Sequence, residues 1–297
     1  MNKAQAYKLI DKFYSNDNPS QEDEFIFVEA ANYIIETEND ANVMSSLGGF
    51  YYGKQKYALA EKYYLLADEN GDEYASCGLG FIYYYGRNGE RDFSKAFYYY
   101  NKSMGFGNME SAMKIADMYH NGFGVEKNEA KYKEILESIF NRIKDTDRLF
   151  DPYPEVAHRL SDIYISERKI DITKPMLTKA KSFITQRIRY SPFWGNFIVC
   201  KRVIELYYKV FPFDKDNLFL SFFDFFHLFK SPHKVKCIYN GKEYLIESFF
   251  DEGAMRVKCN NVLYKSTEDF LTNAMFENKH VYIIEYDYDF RTLQIIE

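Results

Sequence analysis

Apolar positions in the first half of the chain recur three or four residues apart, which is the spacing of one face of a helix. The clearest case covers residues 73–85, where Ala75 and Leu79 fall on the same face. A second helical segment runs from Asp92, whose side chain suits a helix N-cap, to Met104. A glycine-containing turn separates the two segments, so the pattern predicts a pair of packed helices.

The same pair of helices is predicted three times along the chain. The aliphatic residues Leu47, Leu79 and Ile115 stand 32 and 36 residues apart, and each is followed by a tyrosine four positions later. Small residues recur at fixed places beside these anchors, where two helices need to approach closely. A period of this length is typical of stacked helical hairpins, so the sequence predicts a helical repeat architecture.

Weaker copies of the hairpin flank the three clear ones. Around Leu160 the spacing of the third copy recurs, and a second helix is predicted from Thr173, as its N-cap, to about Ile188. Upstream, the pattern predicts a helix over about 2–14 and another over about 25–37. The predicted repeats therefore extend well beyond the three clear copies.

The repeated positions resemble the Sel1-like repeat family, a relative of the tetratricopeptide repeat. The second copy matches the family pattern at Ala75, Leu79, Gly80, Tyr83, Gly86, Asp92, Lys95, Ala96, Tyr100, Ser103 and Gly107. The third copy has the loop GFGVEKN, close to the loop of the family, but Ile115-Ala116 replaces Leu-Gly and Tyr132 replaces an alanine. The resemblance covers about residues 25–190 and implies an α-α superhelix, or solenoid, of helical hairpins.

The pattern changes in the last third of the chain. Residues 192–230 are very apolar and are predicted to form further helices that cap the last repeat. Beyond residue 233 the period becomes two, and Asn240-Gly241 marks a hairpin. Two more turns, a helix capped by Ser266 or Thr267 and a last strand over about 280–288 follow. The predicted fold class is mainly α, with a repeat solenoid over 1–230 and a small α+β module over 234–297.

Composition and charge narrow the class of protein. The chain has 28 Tyr and 27 Phe among 297 residues, which indicates a core rich in rings, and its net charge of −6 disfavours nucleic acid as a general partner. Residues 1–140 carry 14 basic against 22 acidic side chains, whereas 141–234 carry 17 against 11. We expect no signal peptide, because the N-terminus has no apolar region, and no membrane span, because the most apolar run, 217–229, is too short. Four separated cysteines indicate reduced thiols and a cytoplasmic location.

No catalytic or metal-binding motif is present in the sequence. The chain lacks a nucleophile elbow, a P-loop, a zinc-protease helix and a dinucleotide fingerprint, and its five histidines fall in different predicted elements. We therefore expect no enzyme activity and no cofactor. The resemblance implies a bacterial adaptor or scaffold that binds other proteins.

The resemblance also implies a candidate binding groove, since the first helix of each tetratricopeptide hairpin lines the concave face. Glu110 and Glu155 share one register, as do Asp117 and Asp162, beside an aromatic second copy. We predict a protein or peptide partner with basic and apolar residues, bound through cation–π and charge contacts. The predicted groove residues are Tyr52, Tyr74, Phe81, Tyr84, Tyr85, Glu110, Asp117, His120, Glu155, His158 and Asp162.

Two alternatives stay open from the sequence. A basic and aromatic patch has the composition of a single-stranded nucleic-acid site, and it comprises Arg187, Arg189, Tyr190, Phe193, Trp194, Lys201 and Arg202. Alternatively, the C-terminal module carries ligand or nucleic-acid recognition, or an unrecognised enzymatic activity, with the solenoid as its targeting platform. Its candidate residues are Tyr239, Lys242, Glu243, Lys258 and Tyr264.

Overall fold

The fold is that of a computed structural model, which describes residues 1–211, 222–228, 230–284 and 290–295. The chain divides into two compact units, Met1–Ile139 and Phe140–Glu297. Each unit has its own buried core, and helices predominate in both. The predicted mainly α class is thus confirmed.

The first unit is a row of helices joined by short loops. The first six helices form three successive pairs, in which each helix packs against its partner. In chain order the helices are α1 (Lys3–Tyr14), α2 (Gln21–Glu38), α3 (Ala41–Gly53), α4 (Tyr57–Glu69), α5 (Ala75–Tyr85), α6 (Phe93–Gly105), α7 (Met109–Asn121) and α8 (Glu129–Ile143), the last of which ends in the second unit.

The repeat anchors occupy equivalent places in their hairpins. Leu47, Leu79 and Ile115 are fully buried, one on the first helix of each hairpin. The glycine after the anchor lets a tyrosine of the second helix lie against the backbone. A Cβ on Gly80 would stand only 2.4 Å from the ring of Tyr100, so a larger side chain would not fit without rearrangement.

Two kinds of loop close the hairpins. The α5–α6 loop leaves α5 through Gly86 in a left-handed conformation (φ 62°), and Asp92 caps α6 by accepting from the amide of Lys95. The predicted cap at Asp92 is thus confirmed. The α7–α8 loop repeats this geometry with Gly122 (φ 71°) and Asn128, so the two long loops are structurally equivalent.

The α3–α4 loop is shorter and has no glycine at its turn. Gln55 adopts the left-handed conformation there (φ 58°), and the amide of Lys56 donates to the carbonyl of Tyr51 at 2.9 Å. In the second unit, Arg168 (φ 60°) and the 2.8 Å bond from Lys169 reproduce both features. The weak fourth copy of the sequence is therefore a hairpin of the short-loop kind.

The second unit begins with the end of α8 and continues, within the described residues, with further helices and then strands. Its further helices are α9 (Tyr153–Ser166), α10 (Ile170–Tyr190), α11 (Trp194–Val210), a 3-10 turn (Phe222–Asp224) and α12 (Phe225–Leu228). Helix α11 packs on both α9 and α10, as expected of a helix that covers the last repeat. The part of the predicted cap at 212–221 and at 229 lies outside the described residues.

One predicted helix start is wrong. Helix α10 begins at Ile170, three residues before the predicted cap Thr173. Thr173 is buried inside the helix, where its hydroxyl donates to the carbonyl of Lys169 at 2.8 Å. A threonine can make this bond within a helix, so its presence alone did not fix the helix start.

The C-terminal part contains the predicted antiparallel strands. They are β1 (His233–Tyr239), β2 (Lys242–Asp251), β3 (Ala254–Cys259) and β4 (Val262–Tyr264), with α13 (Thr267–Asn273), β5 (Met275–Phe276), β6 (Lys279–His280), α14 (Val281–Ile284) and β7 (Phe290–Ile295) after them. One sheet has the order β4-β3-β2-β1-β7, and β5 pairs with β6. The hairpin at Asn240-Gly241 is confirmed, with both residues at positive φ.

The predicted last strand over 280–288 is wrong in its described part. Only Lys279–His280 is extended, and the chain then turns into α14, whereas residues 285–289 lie outside the described residues. Val281 and Tyr282 are both buried, although they are neighbours. A strand directs successive side chains to opposite faces, so a helical turn buries this pair more readily.

Strand β5 and helix α13 contact the preceding elements of the second unit. Phe222 contacts the ring of Phe276 with centroids 5.9 Å apart, and Lys201 pairs with Glu268 at 2.5 Å. The boundary between a domain over 1–230 and a module over 234–297 stays a prediction. None of the helices within the described ranges combines the length and apolar character that crossing a bilayer requires.

Candidate functional site

The aromatic residues predicted on α5 form a packed cluster. Phe81 stacks on Tyr85 with centroids 6.1 Å apart and meets the edge of Tyr100 at 5.6 Å. Tyr84 contacts Tyr85 at 5.0 Å. At the other end of α5, Tyr74 leaves 72% of its surface exposed. The helix thus carries rings that are fixed by their neighbours and partly open to solvent.

A lysine of the next hairpin lies over this cluster. The Nζ atom of Lys114, on α7, stands 5.6, 5.2 and 5.1 Å from the ring centroids of Phe81, Tyr84 and Tyr85. It also donates to the hydroxyl of Tyr85 at 2.8 Å. The cation–π positions that the sequence analysis assigned to a basic partner are therefore occupied by the chain itself.

A second cation approaches the same tyrosine from the α5–α6 loop. The guanidinium carbon of Arg87 lies 5.2 Å from the ring centroid of Tyr85 and 5.6 Å from that of Tyr57. Tyr52, a predicted groove residue, meets the edge of Tyr57 at 5.3 Å. The hydroxyl of Tyr52 is the main cause of a raised pKa for Arg87. Helices α3, α4, α5 and α7 thus contribute to one surface.

The predicted acidic residues of the first unit lie on α7. Glu110 is exposed in its first turn, and Asp117 is half-buried. His120, at the end of the helix, is engaged elsewhere, because its Nδ1 atom lies 2.9 Å from Glu129. That contact is the main reason for the lowered pKa of Glu129. The acidic surface of α7 is therefore open at its N-terminal turn, while His120 contacts Glu129 and Tyr132 of α8.

The predicted groove residues of the second unit have different surroundings. Glu155 pairs with Arg187, which is buried and also donates to the carbonyls of Leu149 and Asp151. Asp162 is exposed, with Lys209 3.6 Å away. The acidic rows that the sequence predicts from Glu110 to Glu155 and from Asp117 to Asp162 span both units and stay a prediction.

His158 is the predicted site residue with the largest change in proton affinity. Burial lowers its pKa to about 3, and the charges of Arg159 and Arg202 add to this effect. Its Nε2 atom stands 3.2 Å from the guanidinium of Arg159. A neutral His158 is thus what the surrounding charges favour.

The basic and aromatic patch is only partly assembled. Arg187 is buried in its ion pair with Glu155, and Lys201 is paired with Glu268. The rings remain open, with Tyr190, Phe193 and Trp194 exposed to 69, 69 and 53%. Arg202 also pairs with Glu205 at 3.9 Å, so three cations of this patch are held in ion pairs, and its nucleic-acid role stays a prediction.

Most candidate residues of the C-terminal module contact other residues of the same module. Tyr239 is buried, and Tyr264 packs edge-on against Phe270 at 5.3 Å. Glu243 pairs with Lys236 at 2.5 Å. Across the described residues no three histidine, cysteine, aspartate or glutamate side chains are grouped as metal ligands would be. A separate activity of this module stays a prediction.

Sequence reasoning did not select Arg87 or Lys114 as site residues. Each stands next to a repeat landmark, Arg87 directly after Gly86 and Lys114 directly before the anchor Ile115. These positions in the repeat were a usable signal. Arg87 contacts Tyr85 from two residues further along the same hairpin, whereas Lys114 contacts it from the next hairpin, and that second contact cannot be found from local spacing.

Comparison with known proteins gave distant relatives. No protein-family model matches the chain. Two Arabidopsis thaliana proteins, the ERAD-associated E3 ubiquitin-protein ligase components HRD3A and HRD3B, are each 28% identical over 95 residues. The match covers 32% of this chain but only 14 and 16% of those relatives. The chain therefore corresponds to a small part of their length.

Two solved structures are also similar. One is a protective antigen of uropathogenic Escherichia coli that displays an SLR fold, with 22% identity and a TM-score of 0.49 over 70% of this chain and 42% of that one. The other is a Sel1 repeat protein from Oxalobacter formigenes, with 18% identity and a TM-score of 0.48 over 72 and 80% of the two chains. The equivalent hairpins and loops described above confirm the predicted resemblance: this chain is similar to Sel1-like repeat proteins.

Proposed function

We propose that the protein is a non-catalytic interaction scaffold that binds a protein or peptide segment on the first unit. The binding surface is formed by Tyr52, the rings of α5 and the exposed turn of α7 around Glu110. The observation that carries the proposal is the open ring of Tyr74, the N-cap residue of α5, at one end of the helix whose other end holds the fixed ring of Tyr85. Large exposed rings beside polar groups are typical of protein-binding surfaces.

The arrangement of the rings supports binding with little ordering of the scaffold. Phe81 and Tyr85 are held by each other and by Lys114, so their side chains lose little conformational freedom when a partner binds. Stacked hairpins also hold their helices rigidly, and each hairpin adds surface to its neighbour. A segment that lies across α5 and α7 meets rings and an exposed carboxylate within one unit.

The charge of the partner is the finer part of the proposal. Glu110 and Asp117 favour basic residues in a bound segment, as expected from the sequence. The ring faces of Phe81 and Tyr85 do not offer a site for a basic residue of the partner, because Lys114 already lies over them.

A cytoplasmic location and a bacterial origin stay predictions.

The proposal is tested by capture with the full chain as bait. Proteins bound from an extract of the native host are identified by mass spectrometry for the wild type, for the Tyr74→Ala, Tyr85→Ala double variant and for Tyr98→Ala. Tyr98 is a matched control, since it is 60% exposed and lies on α6, the second helix of the hairpin. We expect specific partners to be lost only from the double variant. Identical sets from all three baits would contradict the proposed surface.

A further inference from the structure

Two cations lie beside Tyr85 in a unit whose charged side chains are mostly acidic. Residues 1–140 carry 14 basic against 22 acidic side chains. Lysines of this unit pair with its carboxylates, as Lys102 does with Asp68 at 2.7 Å. Arg87 and Lys114 instead lie on rings, and neither forms an ion pair within the described part of the chain.

These two cations and three tyrosines form one group, which we name the cation–tyrosine cluster: Tyr52, Tyr57, Tyr85, Arg87 and Lys114. Tyr85 joins its two halves, because both cations lie about 5 Å from its ring centroid, at 5.2 and 5.1 Å. The cluster draws on three consecutive hairpins. Its members are fixed by contacts with each other before any partner binds.

The cluster has hydrogen-bond donors to spare. An ammonium group has three N–H donors, and the hydroxyl of Tyr85 accepts from Lys114. A guanidinium has five donors in a planar fork that matches the two oxygens of a carboxylate. A cation–π contact satisfies the charge only weakly, so an incoming anion gains the full charge-assisted bond. The rings of Tyr57 and Tyr85 offer apolar surface directly beside these donors.

From this geometry we infer that the cation–tyrosine cluster binds an acidic side chain of a partner peptide, next to an aromatic or aliphatic residue that contacts the rings. The inference rests on the proposed function, and it assigns the class of partner for that surface. Charge complementarity decides the charge of the bound segment. An acidic segment is attracted to Arg87 and Lys114, whereas a basic segment is repelled by them. Two carboxylates of α7 flank Lys114, the exposed Glu110 one turn before it and the half-buried Asp117 three residues after it, and they limit how far along that helix an acidic segment extends.

The test uses peptides, since the partner is unidentified. Random peptides displayed on phage are selected on the immobilised full chain, and one enriched peptide is synthesised together with its amide form, in which Asn and Gln replace Asp and Glu. Calorimetry then measures both peptides with the wild type, Lys114→Gln, Arg87→Gln and the control Lys62→Gln. Lys62 is exposed and lies 5.4 Å from the ring of Tyr63, so the control removes the same charge from a similar contact.

We expect the enriched peptides to be rich in Asp and Glu beside Phe, Tyr or Leu. The amide form and the Lys114→Gln and Arg87→Gln variants each should bind about tenfold more weakly, as the loss of one charge-assisted hydrogen bond implies. Lys62→Gln should bind as the wild type does, and Lys114→Arg should retain most of the affinity. Thermal melts of every variant check that the fold is intact.

Three results would overturn the inference: enriched peptides without acidic residues, equal affinity for the acid and amide forms, or no effect of Lys114→Gln in a folded variant. Failure of selection on the wild type would count against it as well. The proposed function fails separately, if capture of host proteins is unchanged by the Tyr74 and Tyr85 substitutions. If a partner is captured through that surface and Lys114→Gln does not weaken its binding, the scaffold proposal stands and the inference of an acidic segment is wrong.

Discussion

At the scale of single residues, the hairpins of the first unit depend on pairs of glycine and tyrosine. A Cβ on Gly48 would meet the ring of Tyr64 at 2.7 Å, and one on Gly80 would meet that of Tyr100 at 2.4 Å. In the third hairpin Ala116 and Leu136 hold the same positions, and both are fully buried. Where the first helix has alanine in place of glycine, the second helix therefore has leucine in place of tyrosine.

This pairing makes a prediction for Gly80. We expect Gly80→Ala to lower the free energy of unfolding by about 1–3 kcal/mol through overpacking, although alanine normally favours a helix. Adding Tyr100→Leu, which reproduces the third hairpin, should recover part of the loss. Urea denaturation followed by circular dichroism measures both variants. Gly105→Ala is the control, since its Cβ meets nothing within 4 Å, and a Gly80→Ala variant as stable as this control would refute the pairing.

A second prediction at this scale concerns pH and His158. Its pKa is about 3 in the folded chain, against an ordinary value of 6.5. Between these values the unfolded state binds the proton more readily, so this residue's contribution to stability is complete above pH 6.5 and declines as the pH falls towards 3. His158→Gln should therefore flatten the decline of unfolding free energy with acid. His233→Gln is the control, at a ring that contacts the Ser231 carbonyl, and parallel profiles for wild type and His158→Gln would contradict the expectation.

At the scale of elements, the loops decide how each hairpin closes. The long loops place glycine at the left-handed position, at Gly86 and Gly122. The short loops place Gln55 and Arg168 there instead. Side chains with a Cβ pay a cost of about 1 kcal/mol for this conformation. The short loops thus hold a residue in a conformation that glycine adopts more easily.

We expect Gln55→Gly and Arg168→Gly to stabilise the chain, each by about 0.5 kcal/mol, because the relief of strain exceeds the entropic cost of glycine. Thermal melts compare the two variants with Ala58→Gly. That control places glycine in the first turn of α4, where it should be destabilising by up to about 1 kcal/mol. A loss of stability in both loop variants would show that their left-handed residues are held by side-chain contacts.

At the scale of the whole molecule, the chain forms two compact units, and α8 ends where the second begins. The strands of the C-terminal part share a core with helices of the second unit. The ring of Phe222 contacts those of Phe270 and Phe276 at 6.4 and 5.9 Å. Helix α13 and strand β5 thus cover the ring of Phe222, which the preceding elements alone would expose.

This packing predicts the behaviour of truncated chains. A fragment of residues 1–232 should expose the ring of Phe222 and the unpaired Lys201, so we expect it to aggregate or to bind the dye ANS. A fragment of residues 1–143 should keep its helical circular dichroism and unfold cooperatively, since its core is its own. Dye fluorescence and light scattering distinguish the two. A monomeric, dye-free 1–232 fragment would instead support a domain boundary near residue 230.

Local signals explain which parts of the fold were predictable. The spacing of Leu47, Leu79 and Ile115, the cap at Asp92 and the turn at Asn240-Gly241 each involve residues close in sequence. The start of α10 and the helical turn at Val281 were not predictable in this way, because burial against other elements decided them. The same holds for the candidate site: the sequence predicted its aromatic rings but not the cations that lie on them.

The sequence by itself determined the hairpin repeat, its anchors and the period-two strands, because helix and strand periodicity are properties of neighbouring residues. The tertiary structure alone decided which cation lies on which ring. Lys114 reaches Tyr85 from the next hairpin, and Arg87 reaches Tyr57 of the preceding one, and contacts of that kind depend on how helices stack. The same stacking turned a surface expected to bind basic residues into one that presents two positive charges.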